Sequence, residues 1–165
     1  MKWQELASQE CSIARTLAVI GDRWTLMILR DLFLGASRFE EIQRSLNISR
    51  TVLAERLNLL ETEGVVRRLA YQQKPTRYKY KLTPKGIDLY PVLMALVHWG
   101  DQHYATEVGP PVIHHHQRCG HDFSAMLTCS ECGEPVSPYE TTVRFASEAI
   151  TARLPDTDRG GMNRG

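Results

Sequence analysis

Apolar residues recur at intervals of three and four through CSIARTLAVIGDRWTLMILRDLFLG, where Ile13, Leu17, Ile20, Trp24, Met27, Ile28, Leu32 and Phe33 share one helical face. Gly21 and Asp22 interrupt the pattern and Gly35 closes it, which predicts a short helix followed by a longer one. Ser37, with Glu40 three residues on, has the form of a capping box, and Phe39, Ile42 and Leu46 give a helix of about ten residues its apolar face. Asn47 and Ile48 then make a tight turn. Ser49 is a good N-cap, and Leu53, Leu57 and Leu60 line one side of a third helix that Gly64 ends.

The period changes after Gly64. Val65 to Leu69 and Tyr78 to Leu82 are β-prone runs joined by the loop YQQKPT with Pro75 at its tip. In the second run Tyr78, Tyr80 and Leu82 share one face, and Arg77, Lys79 and Lys81 share the other. Thr83-Pro84 starts a further helix whose stripe of Leu89, Val92, Leu93, Leu96, Val97 and Gly100 runs out near Tyr104, with Trp99 just beside it. That stripe reads either as plain core or as more apolar surface than a small domain can cover, hence a dimer element. Gly109, Pro110 and Pro111 break the chain, and the segment after Ala146 is polar and glycine-rich, an expected disordered tail.

Short helix, turn, second helix and basic hairpin, in that order, predict an α+β, mainly helical fold: a winged helix-turn-helix domain over residues 1–108 with a C-terminal dimerisation helix. A cysteine- and histidine-rich, zinc-ribbon-like extension follows over 109–145, and the tail occupies 146–165. The length of 165 residues fits one domain with such an appendage. No apolar run approaches the roughly 20 residues of a spanning helix, and the N-terminus has no apolar export segment. A cytoplasmic protein without membrane partners, its cysteines kept reduced, is the expectation.

Charge sharpens the functional reading. The net formal charge is only +1, yet Arg67, Arg68, Lys74, Arg77, Lys79, Lys81 and Lys85 crowd the span from Val65 to Ile87 with no acidic residue among them. If Leu53, Leu57 and Leu60 face inward, Thr51, Ala54, Glu55 and Asn58 face outward, where Thr51 and Asn58 can bond base edges and Glu55 can accept from a cytosine amino group. Arg50, at the helix start, suits a phosphate or a guanine. Ser37 and Arg38 on one helix start and Ser49 on the next offer donors to phosphate oxygens, and Lys74, Arg77 and Lys79 are candidate backbone contacts on double-stranded DNA. A merely solvated polar face is the alternative for each.

Together, the GDRW at Gly21, the SRFEEIQ at Ser37, the ISRTVLAERL at Ile48 and the RYKYKLTPKG at Arg77 resemble HxlR-type winged helix transcriptional regulators over about Cys11 to Tyr104. The resemblance implies a DNA-binding regulator, homodimeric through its N-terminal helix and the 84–104 helix, on an inverted-repeat operator. More often such a protein is a repressor, with a small-molecule effector or thiol oxidation as its signal. It also draws attention to Cys11, which stands where some relatives sense oxidants or electrophiles through a thiol. A buried small hydrophobe is the other reading of Cys11.

CGHDFSAMLTCSECG holds the other three cysteines. Cys129 and Cys132, with Gly133 after them, have zinc-knuckle spacing, and His116 with Cys119 repeats that spacing upstream, the two pairs enclosing nine residues. Three thiolates and one imidazole would make a closed structural zinc site, with His121, His114 and His115 as substitute ligands. A dithiol and plain packing remain alternatives. Four protein ligands leave no open position for catalysis, and no nucleophile triad, carboxylate pair or phosphate loop supports an enzyme. A small zinc or redox enzyme and a winged helix used only for protein contact are therefore secondary readings.

Overall fold

A computed structural model describes residues 3–144, so the tail expected over 146–165 lies outside the described residues. The chain divides into two compact units at Ile113/His114. In the first, helices α1 (Trp3–Ala7), α2 (Ser12–Ile20), α3 (Arg23–Phe33), α4 (Phe39–Leu46) and α5 (Arg50–Thr62) precede strands β1 (Val66–Gln73) and β2 (Thr76–Leu82). Helices α6 (Pro84–Ile87) and α7 (Tyr90–Tyr104) close it.

The break between α2 and α3 falls at Gly21-Asp22, as the interrupted pattern predicts, and Asp22 has a constructive part in it. Its carboxylate accepts from the Trp24 amide at 3.0 Å, capping α3, and stands 3.4 Å from Arg56 Nε on α5. The start of the central helix is thereby tied to the helix that carries the candidate base readers. Ile28, Leu29, Ile42, Leu53, Leu57 and Leu60 are essentially inaccessible and form the core, with Val65, Val66 and Leu93 beside them. Each buried side chain of this size contributes about 1.5–3 kcal/mol of transfer free energy, which sets the inward face of α5 and so its outward one.

Three boundaries differ from the sequence reading. Helix α4 begins at Phe39 with Arg38 as N-cap, and the residue that reaches back is Glu41: its carboxylate accepts from the amides of Arg38 at 2.9 Å and Ser37 at 3.0 Å. The expected Ser37–Glu40 box is thus displaced by one residue and only half made, since an arginine side chain cannot accept a hydrogen bond. The hairpin is longer than expected, because Gln72, Gln73 and Thr76 belong to the ladder and only Lys74-Pro75 lie between the strands. The predicted single helix over 84–104 is two, α6 and α7, because Pro91 has no amide with which to continue the first.

Glycine and a turn finish the architecture. Gly64, at φ +68°, ends α5 in a Schellman arrangement, with Val65 N–H donating to the Leu60 carbonyl at 2.8 Å and Gly64 N–H to Glu61 at 3.0 Å. Gly86 packs so closely on the chain that a Cβ there would lie 2.2 Å from the Val65 carbonyl oxygen.

The second unit contains two short hairpins. One pairs β3 (His115–His116) with β4 (His121–Asp122); the other is held by a bridge between Thr128 and Pro135.

Candidate nucleic-acid interface

The helix-turn-helix is α4, the turn at Asn47-Ile48, and α5. Asn47 takes the left-handed conformation (φ 48°), which its short polar side chain tolerates, and Ile48 is buried beneath the turn. Ser49 then caps α5, its hydroxyl accepting from the Val52 amide at 3.3 Å. With Leu53, Leu57 and Leu60 fully inward, Thr51, Glu55 and Asn58 are exposed on the opposite side, while Ala54 is only half-exposed. The structure thus places three of the expected base readers in one outward row. Arg50 is exposed too, its guanidinium 4.8 Å from the centre of the Phe39 ring, a stacking that holds its charge over the start of α4.

Ser37 and Arg38 have other work. The Ser37 carbonyl accepts from the Tyr80 amide at 2.7 Å, and Arg38 pairs with Lys79 across an antiparallel bridge, so the segment before α4 runs beside β2. The Ser37 and Arg38 amides already donate to the Glu41 carboxylate. Those two amides hold the Glu41 carboxyl below its usual range against an opposing desolvation, with Arg38 and Arg44 adding lesser contributions. Arg38 also lies 5.1 Å from the centre of the Tyr71 ring, Tyr71 being the extra residue at the bulge in β1.

The hairpin's cations divide into free and committed groups. Lys74 and Arg77 are exposed at its tip, Lys79 is half-buried beside Arg38, and Lys81 is exposed further down β2. Arg68 lies 4.7 Å from the Tyr78 ring centre and 3.6 Å from Glu61, and Lys85 donates to the Glu63 carbonyl at 2.6 Å. The face expected to be apolar is therefore partly a stacking face: Tyr78 is exposed under Arg68, whereas Tyr80 is half-buried and its phenol is pushed up by that burial. The tie from Asp22 to Arg56 and the Arg38–Tyr71 stacking escaped the sequence reading. The GDRW motif signalled the first; a bulge that turns Tyr71 toward α4 leaves no mark in residue spacing.

Cys11 sits at the N-cap position of α2 and is exposed, which overturns its reading as a buried hydrophobe. Between α2 and α5 lies an open cavity of about 520 Å³ lined by residues including Arg15, Leu17, Asp22, Arg56 and Leu59. In the second unit His116 Nδ1 stands 3.2 Å from Cys119 Sγ, and Cys129 is hydrogen-bonded to Cys132. Amides of Cys132 and Glu131 donating to its sulfur, and then the Cys132 thiol, hold Cys129 below the usual thiol range. Among the described residues no three His, Cys, Asp or Glu side chains stand together as a metal-holding group; His116 with Cys119 and Cys129 with Cys132 form two separate pairs. His121 is on β4, across from His116, and His115 bonds Asp122 at 3.0 Å.

Comparison with known proteins agrees with this geometry. The HTH-type transcriptional regulator Rv3095 of Mycobacterium tuberculosis is 38% identical over 131 residues, covering 79% of this chain and 83% of that protein. The crystal structure of PA1607, assigned as a transcription factor, superposes with a TM-score of 0.76 at 31% identity, over 85% of this chain and 98% of that one. The redox regulator HypR in its oxidised form gives 0.53 at 32% identity, over 58% of this chain and all of that one. The profile of the HxlR-like helix-turn-helix family matches residues 19–108, which contain α3 to α7 and the whole helix-turn-helix and wing. The chain belongs to the HxlR-like helix-turn-helix family of transcriptional regulators.

Proposed function

We propose that this regulator binds an inverted-repeat operator as a homodimer, with α5 in the major groove and the hairpin tip on the flanking phosphates. The observation that carries the reading is the outward row of Thr51, Glu55 and Asn58 on a helix whose other side is locked into the core, with Lys74 and Arg77 exposed on the neighbouring hairpin. Asn58 and Thr51 would bond base edges, Glu55 would accept from a cytosine amino group, and the wing would add affinity without reading sequence. Family membership sets the enzyme reading aside.

A second copy is supported by what the single chain leaves uncovered. Ile13 and Leu17 on α2 and Val92, Leu96 and Trp99 on α7 are 42–71% exposed, a set of apolar side chains on the first and last parts of the domain. Two copies joined there would hold their α5 helices about 34 Å apart, one turn of DNA. Repression follows where such a site overlaps a promoter. A signal that favours a dimer with another spacing would lose one half-site, and the cavity beside Arg15 and Arg56 lies within the usual 300–1,000 Å³ range of small-molecule pockets.

The reading is tested by selecting bound fragments from a whole-genome pool at low salt, then footprinting the best of them. An inverted repeat should emerge, and Asn58→Ala with Glu55→Ala should flatten the sequence preference while non-specific binding at low salt persists. Absence of salt-sensitive binding across the pool would refute it.

A further inference from the structure

The second unit is built from one motif used twice. In the first hairpin the Gly120 amide donates to the His116 carbonyl at 2.9 Å and the Phe123 amide to His114 at 2.9 Å, with His115 paired to Asp122. In the second, Gly133 donates to Cys129 at 2.9 Å and Val136 to Leu127 at 2.9 Å, with Thr128 bridged to Pro135. Every residue of the second set is numbered thirteen higher than its counterpart (His116 and Cys129, Cys119 and Cys132, Gly120 and Gly133). Both glycines are left-handed, at φ +72° and +76°. Each turn therefore aims residue i and residue i+3 to the same side, and each has already gathered its own two side chains, as the 3.2 Å between His116 Nδ1 and Cys119 Sγ records.

We infer that the two turns close on a single zinc ion held by His116, Cys119, Cys129 and Cys132. Tetrahedral bonds of about 2.0–2.1 Å to nitrogen and 2.3 Å to sulfur require the two donors of one turn to stand about 3.6 Å apart, close to what the first turn already shows. Amides of the second turn donate to Cys129 Sγ, the arrangement that spreads thiolate charge in a knuckle. The repeat also decides among the histidines. His116 occupies the place of Cys129, whereas His114, His115 and His121 occupy those of Leu127, Thr128 and Glu134. With four protein ligands the metal is structural: it joins two hairpins that have almost no buried side chains of their own.

This inference stands whether or not the operator reading holds, and its test uses no DNA. The full chain, purified reduced and without chelator, should carry about one zinc per chain, and should take up cobalt with the absorption of a tetrahedral thiolate site. His116→Ala, Cys119→Ser and Cys129→Ser should each lose the metal, His116→Cys should keep it, and His121→Ala should leave it unchanged. Once the metal is stripped, alkylation of Cys119, Cys129 and Cys132 should speed up by about tenfold or more and slow again when zinc is returned, while Cys11 reacts at the same rate throughout, because a metal-bound thiolate is a poor nucleophile. Reduced protein that binds neither metal, or a site lost in His121→Ala and kept in His116→Ala, would overturn the assignment.

Discussion

Neutralising the hairpin tip should change the salt dependence of DNA binding by a calculable amount. Lys74 lies in the turn between β1 and β2 and Arg77 just after it, and both are exposed, so Lys74→Gln with Arg77→Gln removes two cations per chain, or four in the proposed dimer, without disturbing the core. Each phosphate contact contributes about 0.9 to the slope of log affinity against log salt, so the slope should become shallower by about 3.6. Over a fourfold rise in salt the double variant should therefore lose about two orders of magnitude less affinity than the parent, having started from weaker binding. Fluorescence anisotropy titrations of an operator duplex at several salt concentrations read this directly, and the thermal midpoint should not move. Lys79→Gln alone should give less than its share, because that side chain is half-buried beside Arg38. A double variant whose slope changes by less than about one unit would show that the tip does not touch phosphate.

Two other expectations follow from packing. Gly86→Ala puts a methyl 2.2 Å from the Val65 carbonyl oxygen, a backbone atom that cannot swing away, and should cost about 1–3 kcal/mol in chemical denaturation; an unchanged midpoint would mean that the α6 turn is looser than its contacts indicate. The wild-type chain should sediment as the proposed dimer, and Leu96→Glu with Trp99→Glu should turn it into monomer and weaken operator binding with it, while unchanged sedimentation would place the interface elsewhere.

The elements that periodicity made legible are those whose buried residues alternate with exposed ones on a regular helix. Leu53, Leu57 and Leu60 specify the inner face of α5, and from them the outward position of Thr51, Glu55 and Asn58 follows by geometry alone. Ends were harder. Glu40 and Glu41 are adjacent carboxylates with equal claim to a cap, and only the backbone path of Ser37 and Arg38 beside β2 gives the place to Glu41. Gln72 and Gln73 are polar enough to pass for a loop, yet ladder hydrogen bonds need no apolar side chain, and a bulge at Tyr71 keeps the register going. Pro91 was a visible signal for splitting the last helix, and the continuous apolar stripe around it masked that signal.

The thirteen-residue repeat was hidden for a different reason. Between His114–Phe123 and Leu127–Val136 only the Cys-Gly pair is the same, so residue identity alone hardly marks the two segments as copies. What recurs is backbone: a left-handed glycine after the i+3 residue, its amide on the carbonyl of residue i, and a strand pair closing behind. Such a turn constrains four residues and leaves the rest free, so the same backbone can carry different side chains around it. Spacing in the sequence puts His116 first and keeps His121 as a substitute; the hydrogen-bond register favours the same choice, because among these histidines only His116 has a cysteine for its counterpart. The same reasoning distinguishes the two units. In the first, core burial fixes which polar residues face out. In the second almost nothing is buried, so there the backbone hydrogen bonds of the two turns, rather than packing, fix where the side chains stand.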